Sequence, residues 1–226
     1  MDMLNERTRI GGRECALIGD PGAAAVLLQP MDWRELDGLP GEAAHIRSLT
    51  ETPFLLAAFE VENWDDELSP WPAPAVYGDE EFGGAAQDTL DCVLGELIPA
   101  AEERWPSRDA RRWLLGGYSL AGLFALWASA RTDRFSGVAA VSPSVWYPGW
   151  LDYARRQPPR AGRIYLSLGD REEHARNPVM ARVGDAIREQ YAMLEGRADC
   201  ALEWNPGNHF REPELRMAKG FAWLLR

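Results

Sequence analysis

Short apolar runs recur along the chain, each flanked by turn residues. Ala25-Val26-Leu27-Leu28, Phe54 to Phe59, Trp113-Leu114-Leu115, Val138-Ala139-Ala140-Val141, Ile164 to Leu168 and Ala201 to Trp204 do not alternate with polar positions. A continuous run of that length is the pattern of a strand buried on both faces, as in a parallel sheet. Between the runs, apolar residues fall at spacings of three and four. From Gln87 to Trp105 these are Leu90, Val93, Leu94, Leu97 and Ile98, and Pro99 either kinks the predicted helix or starts a second one. Asn177-Pro178 reads as a cap with proline at the first helical position, leading into a stripe of Val179, Val183, Ile187, Tyr191 and Leu194. Pro213 opens a closing helix that carries Leu215, Ala218, Ala222 and Leu225. Strands alternating with helices predict an α/β fold, a doubly wound and mostly parallel sheet with helices on both faces. The aromatic stretch Ser69-Pro70-Trp71-Pro72-Ala73-Pro74 reads as an ordered loop, and 226 residues fit a single domain over 1–226.

Charge and cysteine content narrow the partners. With 24 Lys and Arg against 35 Asp and Glu, the formal charge is −11, which disfavours nucleic acid and anionic membranes as partners. Cys15, Cys92 and Cys200 form no CxxC pair, so they read as reduced, packed thiols of a cytoplasmic protein. The start of the chain has no apolar run of the kind a secretion signal needs. No uncharged apolar stretch reaches the roughly 18 residues of a membrane span. Three isolated histidines supply no ligand cluster, so neither metal nor cofactor is expected.

The chemistry concentrates at Trp113-Leu114-Leu115-Gly116-Gly117-Tyr118-Ser119-Leu120-Ala121-Gly122-Leu123-Phe124. An apolar strand runs into two glycines and a serine, and a wholly apolar helix begins at once. A nucleophile elbow needs this context: a turn so sharp that only small residues fit around a strained, outward-pointing Ser119. The pentapeptide is G-x-S-x-A. The Leu120 N–H then lies at a helix N-terminus, suited to receive an oxyanion. A serine hydroxyl needs a base. His45 lies before the second expected strand and reads as a surface residue, and His174 sits in the charged run Asp170 to Arg176. His209 comes after the last expected strand through Asn205-Pro206-Gly207-Asn208 and precedes the closing helix, the place where an α/β-hydrolase carries its base. The orienting carboxylate should lie beyond an intervening strand, and Asp170, Glu172 and Glu173 all lie just past Gly169. Spacing alone does not choose among the three.

Together, the elbow, Ser142-Pro143-Ser144-Val145-Trp146, Leu168-Gly169-Asp170-Arg171-Glu172 and Asn205-Pro206-Gly207-Asn208-His209-Phe210 resemble the putative-esterase branch of the α/β-hydrolases. That branch holds siderophore (enterobactin-type) esterases and S-formylglutathione hydrolase (esterase D), with mycolyltransferases further off. The resemblance runs from about Ala25 to the C-terminus. It implies a carboxylic ester hydrolase working through Ser119, His209 and an acid in a G-x-x-[DE] pattern, which here is Glu172, with Asp170 as runner-up. It also implies a second oxyanion donor in Leu28-Gln29-Pro30-Met31-Asp32-Trp33, the Met31 N–H, although proline stands at 30 where relatives carry glycine. Asn63-Trp64-Asp65-Asp66-Glu67-Leu68 resembles the siderophore-esterase stretch before the pocket but has no arginine.

Ten tryptophans are many for this length. Trp33, Trp64, Trp71, Trp146, Tyr147 and Trp150 come after expected strands, where loops line the ligand crevice, so Trp33, Trp64 and Trp146 are expected to contact a small-molecule ester. The segment from Tyr147 to Arg160 leaves room for only a small lid. Two rival readings use the same residues: acyl transfer to an alcohol through the same acyl-enzyme, and a non-catalytic binding protein that kept the scaffold. An edge strand or exposed tryptophans would serve a homodimer.

Overall fold

Two antiparallel strands, β1 (Leu4–Ile10) and β2 (Arg13–Gly19), precede the apolar runs in the computed structural model, which describes residues 3–106 and 110–226. The runs themselves become β3 (Ala25–Met31), β4 (Phe54–Glu60), β5 (Arg112–Tyr118), β6 (Phe135–Val141), β7 (Arg163–Gly169) and β8 (Asp199–Asn205). All eight strands form one sheet in the order β1-β2-β4-β3-β5-β6-β7-β8. β2 joins β4 antiparallel, and every pairing from β4 to β8 is parallel. The mostly parallel α/β architecture expected from the runs is therefore present. The first two strands were not among those expected. β1 alternates half-buried and exposed residues with mostly polar side chains, as an edge strand with one wet face does. Gly11 (φ 54°) and Gly12 (φ 78°) close this hairpin, both in the left-handed region that a tight two-residue turn demands.

Helices cover both faces. They are α1 (Leu39–Leu49), α2 (Trp64–Glu67), α3 (Ala86–Cys92), α4 (Ile98–Arg104), α5 (Leu120–Arg131), α6 (Trp150–Arg156), α7 (Val183–Leu194) and α8 (Pro213–Leu225). α1 and α8 pack together over one face, through Leu39, Ala43 and Ile46 against Met217, Phe221 and Leu224. On the other face lie α3, α4, α5 and α7. α5 is buried on every side from Leu120 to Ala130, which accounts for a sequence there with no polar face. Pro99 starts α4 after a π-helical turn over Val93–Leu97. Proline has no N–H to continue the α-helical ladder, and the wider turn takes up the mismatch. Asn177 does cap, accepting from the N–H groups of Val179 (2.9 Å) and Met180 (3.3 Å), but it caps a 3-10 turn, and α7 begins only at Val183. Pro213 opens α8 as expected, although the buried stripe is shifted and leaves Leu215 half-exposed.

The chain runs from β3 to β4 on one side and returns as β5 on the other. The carboxyl ends of β3 and β5 thus flank a topological switch point, the place where open α/β sheets hold their ligands. Among the described residues no helix is long and apolar enough to cross a membrane.

Candidate active site

Ser119 makes the turn between β5 and α5 on its own, at φ 59° and ψ −121°. An L-residue holds such a conformation only when its surroundings enforce it. Here the Ser119 N–H donates to the Val141 carbonyl (3.0 Å). Its own carbonyl accepts from the N–H groups of Gly122 (3.1 Å), Leu123 (3.2 Å) and Ser144 (3.0 Å). Gly117 is required because a Cβ there would overlap the Ala121 carbonyl, where α5 folds back over the strand. Leu120 is the first residue of α5, so its N–H has no intrahelical acceptor and lies at the positive end of the helix dipole. The Ser119 hydroxyl lies 3.5 Å from that of Ser144.

The three acids after β7 have three different surroundings. Glu172 is buried, and its Oε2 lies 2.7 Å from His209 Nδ1. Its other oxygen accepts from the Ser142 hydroxyl (2.7 Å) and the Gly169 N–H (2.8 Å). Asp170 instead accepts from the Gly207 N–H at 2.7 Å, tying down the loop that carries His209. Glu173 turns away to an ion pair with Arg188 at 2.9 Å. Burial is the largest single influence on the Glu172 carboxyl and pushes its pKa up. The hydrogen bonds from His209, Ser142 and Gly169 together outweigh it and hold the pKa below the usual range. An ionised Glu172 can only accept, so Nδ1 of His209 carries its proton and a neutral imidazole leaves Nε2 as an acceptor.

Two side chains that sequence reasoning did not single out complete this arrangement. Arg216, buried on α8, donates through one nitrogen to Glu172 Oε1 (3.2 Å) and through the other to the carbonyls of Pro206 and Asn208 (both 3.0 Å). The Tyr118 hydroxyl, next to the elbow, donates to the carbonyl of His209 at 2.6 Å. An arginine set between the apolar positions of the last helix was the one available signal for the first. Nothing in the sequence marked the second.

Ser119, Glu172 and His209 line one cavity of about 560 Å³. Trp146, Tyr77 and Phe210 give it aromatic walls, with Met180 and Val183 beside them. Trp146 is thus where the sequence placed it. His174, read as a solvated loop residue, also lies on this cavity together with Arg171. Trp64 and Met31 border a neighbouring cavity of about 300 Å³, which Tyr118 shares. Trp33 is 60% exposed and lies beside the Arg34 guanidinium. The lining of the Ser119 cavity therefore does not include Trp33, Trp64 or Met31. Trp71, Tyr147 and Trp150 do not line it: the Trp71 indole donates to the Pro148 carbonyl (2.9 Å), the Tyr147 hydroxyl to the Trp71 carbonyl (2.6 Å) and the buried Trp150 indole to Gln190 (2.9 Å). The 69–74 segment is ordered by these bonds. His45 is half-buried on α1. Among the described residues no group of three or more His, Cys, Asp or Glu side chains could hold a metal ion.

Residues 46–196 match the model of the family described as putative esterase. The uncharacterized protein YbbA of Bacillus subtilis is 28% identical over 146 residues, a match covering 62% of this chain and 58% of that protein. The fold is shared with an IroE-like serine hydrolase from Shewanella oneidensis (TM-score 0.79, 17% identity, 99% of this chain and 80% of that one). It is also shared with the siderophore hydrolase EstA from Aspergillus nidulans (TM-score 0.76, 20% identity, 99% and 94%).

Proposed function

Because the chain belongs to the putative esterase family of the α/β-hydrolase superfamily, we propose that it is a carboxylic ester hydrolase working through Ser119, His209 and Glu172. The observation that carries this reading is the 2.7 Å contact from Glu172 to His209 Nδ1 in the cavity that also exposes the strained Ser119. Nε2 of His209 takes the Ser119 proton as Oγ attacks the acyl carbon. The carbonyl π electrons move onto oxygen, and the Leu120 N–H at the start of α5 receives that oxyanion. Collapse expels the alcohol, which takes the proton from the imidazolium and leaves an acyl-Ser119. Water, deprotonated by His209, then releases the acid. Glu172 stabilises the imidazolium in both halves without itself taking the proton. The substrate is a small-molecule ester with an apolar or aromatic portion, in keeping with the walls formed by Trp146, Tyr77 and Phe210.

A fluorophosphonate probe tests the assignment. It should label Ser119 stoichiometrically with loss of fluoride, as located by peptide mass spectrometry, and His209→Ala should abolish the labelling. Glu172→Gln should lower kcat on an ester by about 10⁴-fold, the scale seen when a triad acid loses its charge. A folded wild-type protein that neither takes the label nor turns over any member of an ester panel would refute the reading.

A further inference from the structure

Arg216 is 2% exposed on a helix face that is otherwise apolar, between Leu215 and Met217 and one turn before Gly220. A buried guanidinium costs several kcal/mol unless it is fully paired, and apolar residues of similar volume are usually no less stabilising. Stability alone therefore does not explain an arginine here. Its contacts point elsewhere. One nitrogen donates to Glu172 Oε1 (3.2 Å) and also reaches the hydroxyls of Tyr118 (3.2 Å) and Ser142 (3.4 Å). The second nitrogen takes the carbonyls of Pro206 and Asn208, both at 3.0 Å, on either side of Gly207. One rigid fork thus joins the acid after β7 to the loop that carries the base after β8. Tyr118, held by the same fork, reaches across from the elbow strand to the His209 carbonyl.

We propose that Arg216 is a positioning residue for the hydrolase, fixing the backbone of His209 against Glu172 so that the Nδ1–Oε2 hydrogen bond and the aim of Nε2 survive substrate entry. The inference rests on the proposed catalytic roles of Glu172 and His209. His209 needs such a brace because its side chain is 26% exposed and its loop turns through Gly207 at φ 102°. A lysine at 216 would keep the charge, but a single ammonium cannot span a carboxylate and two carbonyls as the planar fork does.

Arg216→Gln and Arg216→Lys test it, each assayed well below its own melting temperature. In both, kcat on a neutral ester should fall about 100-fold with KM unchanged, the scale expected when a catalytic group is displaced by about 1 Å. A far-downfield NMR resonance of the His209 Nδ1 proton should appear in the wild type and be lost in both. A melting temperature that falls while kcat and that resonance stay at wild-type values would reduce Arg216 to a packing role and overturn the proposal. Full rescue by lysine would overturn the fork argument. If the wild type proves inactive and unlabelled, the hydrolase reading has failed, and the Nδ1 resonance still reports whether Arg216 orders the pair. Should Arg216→Gln not fold, Arg216→Lys, which leaves Glu172 its counter-charge, decides alone.

Discussion

Glu42 is a buried acid with no part in the chemistry, and it makes the stability of the protein depend on pH. Both its carboxyl oxygens face the Gln29 amide nitrogen, at 3.1 and 3.0 Å, and it is 2% exposed. Burial dominates and, despite the Gln29 hydrogen bonds, pushes its pKa from 4.5 up to about 8, with Glu214 and Glu35 adding to the rise. The unfolded chain releases this proton near 4.5 and the folded chain keeps it to about 8. Within that window the folded state binds more protons, so stability falls as pH rises, by at most about 1.4 kcal/mol per pH unit from this group. Glu172 has the opposite sign in a lower window: its lowered pKa stabilises the fold above the ordinary carboxylate range, and that contribution is lost as pH falls through its folded value. Glu42→Gln, which mimics the protonated acid, should therefore match the wild type at pH 4 and exceed it at pH 8 in urea midpoint. Parallel midpoints across that range would show that Glu42 ionises freely in the folded protein. At this scale the sequence was readable where local context forces a placement. Ser119 was marked by the strand, glycines and apolar helix around it, and His209 by its place after the last strand. For the acid, spacing left three candidates and only the resemblance pointed to Glu172, because the path of a short loop decides that Asp170 meets Gly207, Glu173 meets Arg188 and Glu172 meets His209. Arg216 escaped because a lone charge in a helical stripe reads as surface until the opposite wall is known.

Among the elements, the buried parallel strands and the capped helices were legible, since both leave runs or spacings that no other structure explains. The hairpin of β1 and β2 was not: the one wet face of β1 breaks the apolar run that identified the others, and the buried run of β2, Cys15 to Ile18, follows the charged residues Arg13 and Glu14. Its signal was the pair Gly11-Gly12, and the two glycines are not equivalent. A Cβ on Gly12 would meet nothing within 4 Å, whereas one on Gly11 would sit 2.8 Å from Glu96 Cβ and 3.1 Å from the Glu96 backbone. Glu96 belongs to the π-helical turn before Pro99, so the hairpin tip packs on the irregularity that the proline imposes. Gly12→Ala should cost about 1–2 kcal/mol, the strain of a side chain in the left-handed region. Gly11→Ala should cost that and about 1–3 kcal/mol more, since backbone rather than a flexible side-chain end must give way. Denaturant midpoints of the two variants compare them directly. Equal losses would mean that the turn does not rest on that helix in solution.

Across the whole molecule, the charge of −11 and the Arg171 guanidinium at the cavity act on an approaching charged substrate with opposite signs. Which wins depends on distance. A chain of this length has a radius of gyration of about 17 Å. At 0.01 M salt the Debye length is about 30 Å, so the full excess of 35 acidic over 24 basic residues is felt outside the protein. At 0.1 M it is about 10 Å, and an ester at the cavity mouth then senses mainly Arg171. An anionic ester should accordingly be repelled at low salt, with kcat/KM rising as salt is added through this range. A cationic ester of the same shape should show the reverse, and a neutral one no dependence. Arg171→Gln removes the local attraction, so the anionic ester should lose rate at both salt concentrations, and by at least as much at 0.01 M, where that attraction is least screened, as at 0.1 M. If kcat/KM for the anionic ester instead fell with added salt in the wild type, Arg171 would dominate at every distance. The acidity of the chain would then act on solubility alone and have no bearing on which esters reach Ser119.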